Sequence, residues 1–116
     1  MLSNNVAKPQ PLDGMSEKRV LTLRPETFAL LVRQLRKFHD KADLFEIDLD
    51  HMKVKGDLRV IQNQFDKPLI GCTTSLDMAK RAAKACLPYV KIPKDLPMDD
   101  EFTTLVKNKR TQLLFS

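Results

Sequence analysis

Residues 42–50 read Ala-Asp-Leu-Phe-Glu-Ile-Asp-Leu-Asp. An apolar strand pattern with a carboxylate at every second position is compatible with few folds. Side chains alternate faces along a strand, so Glu46, Asp48 and Asp50 project one way and Phe45, Ile47 and Leu49 the other. Three acids on one face of such a strand are costly unless that face is wet or has cationic partners. The C-terminal ends of strands in a parallel barrel or an α/β sheet offer such a place. The run reads as an active-site strand or the remains of one.

The rest of the chain alternates strand and helix patterns. Residues 18–23 form a short apolar strand. Arg24-Pro25-Glu26 is a turn that opens a helix, because Pro25 suits a first helical turn and Glu26 suits its positive end. Phe28, Leu31, Leu35 and Phe38 recur at helical spacing with Arg33, Arg36 and Lys37 between them, and this helix should end near residues 39–41. The acidic strand spans 43–49, and Gly56 marks a break. Asp57 caps a short helix holding Leu58, Ile61 and Phe65. Residues 68–73 are a third strand. Ser75 caps an Ala-rich helix that runs to about Cys86. Residues 89–92 are a fourth strand, closed by Pro93. Asp99, Asp100 and Glu101 open a fourth helix carrying Phe102, Leu105 and Val106, and residues 111–115 are a fifth strand.

Strands alternating with helices imply right-handed crossovers and a parallel sheet. The predicted fold class is α/β: a parallel five-stranded βα half-barrel, part of a TIM barrel, with strand order 1-2-3-4-5 and helices on the outer face. The alternative is a flavodoxin-like open sheet, with a reversal in strand order and helices on both faces. Residues 1–17, with Pro9, Pro11 and Gly14, read as a flexible leader, and 18–116 as one half-barrel domain.

A length of 116 residues suits one domain, and 42% apolar content without Trp predicts an aliphatic core. Net charge is +5. Lys and Arg are spread along the chain with no run of five or six, which argues against specific nucleic-acid binding. Cys72 and Cys86 make neither a metal site nor a disulfide framework and read as two buried, reduced thiols of a cytoplasmic protein. No apolar stretch approaches the roughly 20 residues of a membrane span, and the first residues lack the charged start and apolar block of a signal peptide. The glycines are isolated, so no phosphate-cradling loop is present. Nothing in the sequence implies a metal or cofactor.

The ordered set of strand motifs resembles the N-terminal half of type I 3-dehydroquinate dehydratase, the barrel lyase of the shikimate pathway. Residues 42–50 resemble that family's second strand, of the form A-D-x-x-E-x-R-x-D. Residues 67–73, Lys-Pro-Leu-Ile-Gly-Cys-Thr, resemble its third strand, which ends T-C-R. Residues 89–92, Tyr-Val-Lys-Ile, resemble its fourth, often Y-V-D-I-E, and 111–116 the start of its fifth. The resemblance implies a barrel-type fold, and it implies Glu46, Asp48, Thr73 and Lys91 as the remnant of a substrate-binding site. Glu46 keeps the family's residue type and place. Asp48 and Thr73 stand where the family has arginines that would anchor a carboxylate substrate. The family's Schiff-base lysine and catalytic histidine occupy positions beyond Ser116, so no catalytic residue is assigned.

Lys91 has two readings. As an imine-forming nucleophile its pKa must be lowered by burial or a neighbouring cation. As a counter-ion to Glu46 and Asp48 it is held charged, because adjacent carboxylates raise a lysine pKa. Lys94 reads as solvated, His39 as a favourable charge at a helix end, and His51 as a residue near the mouth of a site. The expected function is that of a truncated or divergent relative of the dehydratase, without dehydratase activity on its own. The expected partners are a second copy or a complementary half-barrel and a small-molecule anion. The alternative is a small α/β interaction or regulatory module acting through association.

Overall fold

The computed structural model describes residues 18–53 and 57–116. The leader assigned to 1–17 and the break assigned to Gly56 lie outside the described residues. Among the described residues five strands alternate with four helices: β1 (Val20–Leu23), α1 (Phe28–Lys37), β2 (Leu44–Asp48), α2 (Leu58–Gln64), β3 (Leu69–Cys72), α3 (Leu76–Lys84), β4 (Tyr89–Ile92), α4 (Asp100–Lys109) and β5 (Gln112–Phe115). Single 3₁₀ turns at His39–Lys41 and Leu49–His51 follow α1 and β2.

The sheet is parallel throughout, in the order β1-β2-β3-β4-β5. That is the α/β architecture expected from the strand–helix rhythm. Right-handed crossovers that always step in the same direction place every helix on the same face. Core composition follows from this. One cluster unites Leu31 and Leu35 of α1, Leu58 and Ile61 of α2, Ala79, Ala82 and Ala83 of α3, and Phe102 of α4 with Leu23, Phe45, Ile47, Leu69, Val90 and Ile92 of the strands. The opposite face carries a separate cluster of Leu44, Ile70 and Leu114 with Cys72 and Tyr89, to which no described helix contributes. A doubly wound flavodoxin-like sheet would need a reversal in strand order, which the observed order lacks.

Each helix starts on a side-chain oxygen that accepts a free first-turn N–H. Asp57 accepts from Arg59 N at 3.0 Å, Ser75 from Met78 N at 3.3 Å and Asp99 from Phe102 N at 2.9 Å. Helix α1 begins later than the Pro25-Glu26 turn suggests. Its cap is Thr27, whose hydroxyl accepts from Leu30 N at 3.1 Å. Glu26 is drawn away to Lys53, whose Nζ lies 3.1 Å from its carboxylate. Helix α2 ends at Gln64, and Phe65 follows as its C-cap in extended backbone.

The connection from α2 to β3 is clamped by Gln62. Its amide donates to Phe65 O at 3.3 Å and Lys67 O at 3.2 Å, and its carbonyl accepts from Leu69 N at 3.1 Å. Lys67 then points back under the sheet and donates to His39 O at 2.5 Å and Ala42 O at 3.0 Å. At the middle of β3, Gly71 faces α3. A Cβ at this position would stand 3.0 Å from Leu49 Cδ1 and 3.1 Å from Leu87 Cδ1, so its absence lets the Ala-rich helix settle close to the strand.

The two thiols differ from the expectation of two buried cysteines. Cys72 is half-buried in β3, whereas Cys86 is exposed. Cys86 has a φ of 62° and sits just past the end of α3. There Leu87 N donates to Ala82 O at 3.2 Å and Cys86 N to Ala83 O at 2.9 Å, the paired bonds of a Schellman ending. Such an ending needs a left-handed residue, and the turn leaves its side chain in solvent. Arg110, with a φ of 57°, ends α4 the same way.

Candidate functional site

Parallel register decides which side chains meet on the face free of helices. Thr22 lies opposite Glu46, Glu46 opposite Ile70, and Cys72 opposite both Asp48 and Lys91. All of these residues share one parity and therefore one face. Toward the C-terminal ends of the strands that face opens into a cleft of about 270 Å³, lined by polar residues from every strand or its following loop. Glu46, Asp48, Thr73 and Lys91, singled out from the sequence, line it together with Asp50 and Cys72.

Lys91 reaches across β3 to Glu46, and its Nζ donates to Oε2 at 3.0 Å. The Glu46 side chain is 17% exposed and that of Lys91 33%. The other oxygen of Glu46 accepts from Thr22 Oγ1 at 3.1 Å. The hydrogen bond that Lys91 donates to Glu46 raises the lysine pKa above its ordinary value and outweighs the opposing effect of burial. An amine held as ammonium at neutral pH is a counter-ion and not a nucleophile.

Asp48 takes a cation of its own, with Arg24 Nε donating to Oδ2 at 3.1 Å. Asp50 leaves the strand at the 3₁₀ turn and grips the loop after β3. Its carboxylate accepts from Thr73 Oγ1 at 2.5 Å, from Thr74 N at 2.8 Å and from Thr74 Oγ1 at 2.7 Å. Thr73 is buried at 4% exposure, and its hydroxyl also accepts from Ser75 N at 3.0 Å. Thr73 thus stitches the end of β2 to the start of α3.

Cys72 stands between the two acids of β2 and Lys91. Burial first, and the negative charge of Glu46 second, push its thiol up to about 12. It stays protonated and is a poor nucleophile. His51 occupies the 3₁₀ turn after β2, exposed, and does not line the cleft. His39 lies on the opposite end of the sheet, beside the Lys67 clamp.

Alternation within one strand, a local property, brought Glu46 and Asp48 to one face, and Lys91 was added by the resemblance of residues 89–92 to a family strand. Sequence reasoning missed Thr22, Arg24, Cys72, Thr74 and Ser116. Thr22 and Arg24 carried a usable signal, since a parallel neighbour in phase with Glu46 and Asp48 must present residues of one parity. For Arg24 the signal was masked by Pro25, which draws the reading toward a turn.

Three carboxylates stand against one ammonium in this cleft. Both cations near it are already engaged by carboxylates. The arrangement offers donors and acceptors to a small polar ligand, but among the described residues no free cationic seat for an anion. Among the described residues no group of three or more His, Cys, Asp and Glu is placed to hold a metal ion. No described helix is long and apolar enough to cross a membrane. No family model, curated protein or solved structure matches the chain significantly.

Proposed function

We propose that this chain is a divergent relative of the type I 3-dehydroquinate dehydratases whose cleft does not carry out the dehydration by itself. What supports the kinship is the ordered set of strand motifs on a sheet wound in barrel order, with Glu46 at the place the family pattern gives it. One observation carries the loss of activity. Lys91 is the only amine lining the cleft among the described residues, and it is clamped 3.0 Å from Glu46 with a raised pKa. A Schiff base needs a neutral amine. Asp48 adds a negative charge where the substrate carboxylate would need a positive one.

The test is borohydride trapping with dehydroquinate, read by intact mass, run beside a turnover assay. The expected result is no adduct and no turnover. An adduct that disappears in Lys91→Met, or turnover abolished by Glu46→Ala, overturns the reading.

A second reading is an α/β module that acts through association, as a homodimer or with a complementary half-barrel. The observation in its favour lies at the sheet edges. Among the described residues β1 and β5 each have one strand neighbour. Val20 on β1 and Phe115 on β5 are 41% and 49% exposed. Unpaired edge strands with apolar side chains are templates for pairing.

A further inference from the structure

A sheet wound in one direction sends every strand toward one end of the molecule and every helix back toward the other. The C-terminal ends of α3 and α4 therefore meet at the end opposite the cleft. They are joined there, because Thr111 Oγ1 donates to Leu87 O at 3.2 Å and Gln112 N to Pro88 O at 2.9 Å. Around this junction stand Arg81 and Lys84 of α3, Lys107 and Lys109 of α4, and Arg110 just after it. All five are exposed. None of them makes an ion pair among the described residues. Residues 78–94 and 102–116 contain no Asp or Glu. Asp100 and Glu101 sit in the first turn of α4 at the far end, and Asp77 in the first turn of α3, one turn before Arg81.

We propose that this end of the molecule binds the phosphate backbone of a nucleic acid, without reading its sequence. Cations in a last helical turn answer in part to the helix dipole. That effect does not account for Lys107, Lys109 and Arg110 crowding within four positions beside Arg81 and Lys84, where like charges repel. Neighbouring packed helices lie about 8–10 Å apart. Phosphates recur about every 3.4 Å of axis along one strand and lie further apart along its winding path, so cations on two neighbouring helices reach adjacent phosphates. Base readout requires side chains that fit a groove edge or stack on a base. The five positions include no aromatic residue, which leaves backbone contact alone. An anionic membrane would call for an apolar face beside the cations, but Ala82, Ala83 and Leu87 at this junction are buried.

The surface is invisible as a run in the sequence because its halves come from α3 and from the end of α4. The experiment uses the full chain and a fluorescein-labelled DNA of about 20 nucleotides, single-stranded and duplex, followed by anisotropy from about 50 to 200 mM KCl. Binding is expected at the lowest salt, with log K falling linearly in log salt at a slope of about −3 to −4. K84Q/K109Q is expected to weaken binding by about tenfold or more at about 50 mM salt. R33Q/R59Q removes the same charge from exposed positions on α1 and α2 and is expected to change it less than about twofold. Thermal melts confirm that both variants fold. No binding at the lowest salt, equal losses in the two variants, or tighter binding to phosphatidylserine vesicles than to DNA would each overturn the proposal.

Discussion

His39 sits between two carboxylates. Its Nδ1 lies 2.9 Å from Asp40 and its Nε2 2.7 Å from Asp66. Both ring nitrogens face acceptors, so both must carry protons and the ring is a cation when the bridge is complete. The bonds to Asp40 and then Asp66 raise the histidine above its ordinary 6.5. The same bonds lower both aspartates below 3.8. The histidine contribution is complete below its unfolded value and fades as pH rises through the folded one. The aspartate contribution is complete above 3.8 and fades as pH falls through the lowered values. Between about pH 5 and pH 8 the wild type is therefore expected to lose more thermal stability than His39→Gln. Melting curves at the two pH values check this, and parallel losses would defeat it. The sequence placed His39 correctly at a helix end. Asp66, its second partner, lies 27 positions away and comes beside it only through the fold.

At the scale of the elements, three of the four helix starts were legible, because the cap is a local hydrogen bond, whereas at α1 the Pro25-Glu26 signal hid the Thr27 cap. Asp57 and Ser75 cap as their sequence context suggests, and the acidic start of α4 resolves to Asp99 as its cap. The end of α3 near Cys86 was legible, but the left-handed form of the endings of α3 and α4 was not, because neither carries glycine there. A left-handed L-residue costs about 1–2 kcal/mol. Cys86→Gly is therefore expected to raise stability by about 0.5–1 kcal/mol, and denaturant unfolding would show the midpoint moving up. A lower midpoint would mean that the Cys86 side chain makes a contact worth more than the strain. Gly71 makes the opposite case. Gly71→Val would push branched methyls against Leu49 and Leu87, which already stand at 3.0 and 3.1 Å from the Cβ position. Overpacking of that kind is expected to cost about 1–3 kcal/mol by the same measurement. An unchanged midpoint would show that the two leucines and α3 can retreat.

At the scale of the whole molecule, the single direction of winding divides the sheet into unequal faces. Leu23 and Leu69 fall on the helix side, while Ile70 and Leu114 belong to the other cluster. The helix-free face is apolar toward the strand starts and polar toward their ends, where Glu46, Asp48 and Lys91 gather. If edges and this face mediate association, sedimentation over a concentration series should show a reversible shift toward dimer. Val20→Lys should suppress that shift, since a charge on an edge strand blocks pairing. A monomer at every concentration, or a dimer indifferent to Val20→Lys, would count against edge pairing.

The sequence alone determined the element order, the parallel class of the sheet and the shared face of Glu46 and Asp48. Each of these follows from periodicity, capping chemistry or crossover handedness, which act over a few residues or one connection. Tertiary structure decided who partners whom. Lys91 meets Glu46 from 45 positions away across an intervening strand, and Asp50 meets Thr73 and Thr74, and Arg24 meets Asp48, each across one pairing. It also decided that Arg81, Lys84, Lys107, Lys109 and Arg110 share an end. Such neighbours depend on strand register and on the common direction of the crossovers, and neither is encoded in any one segment.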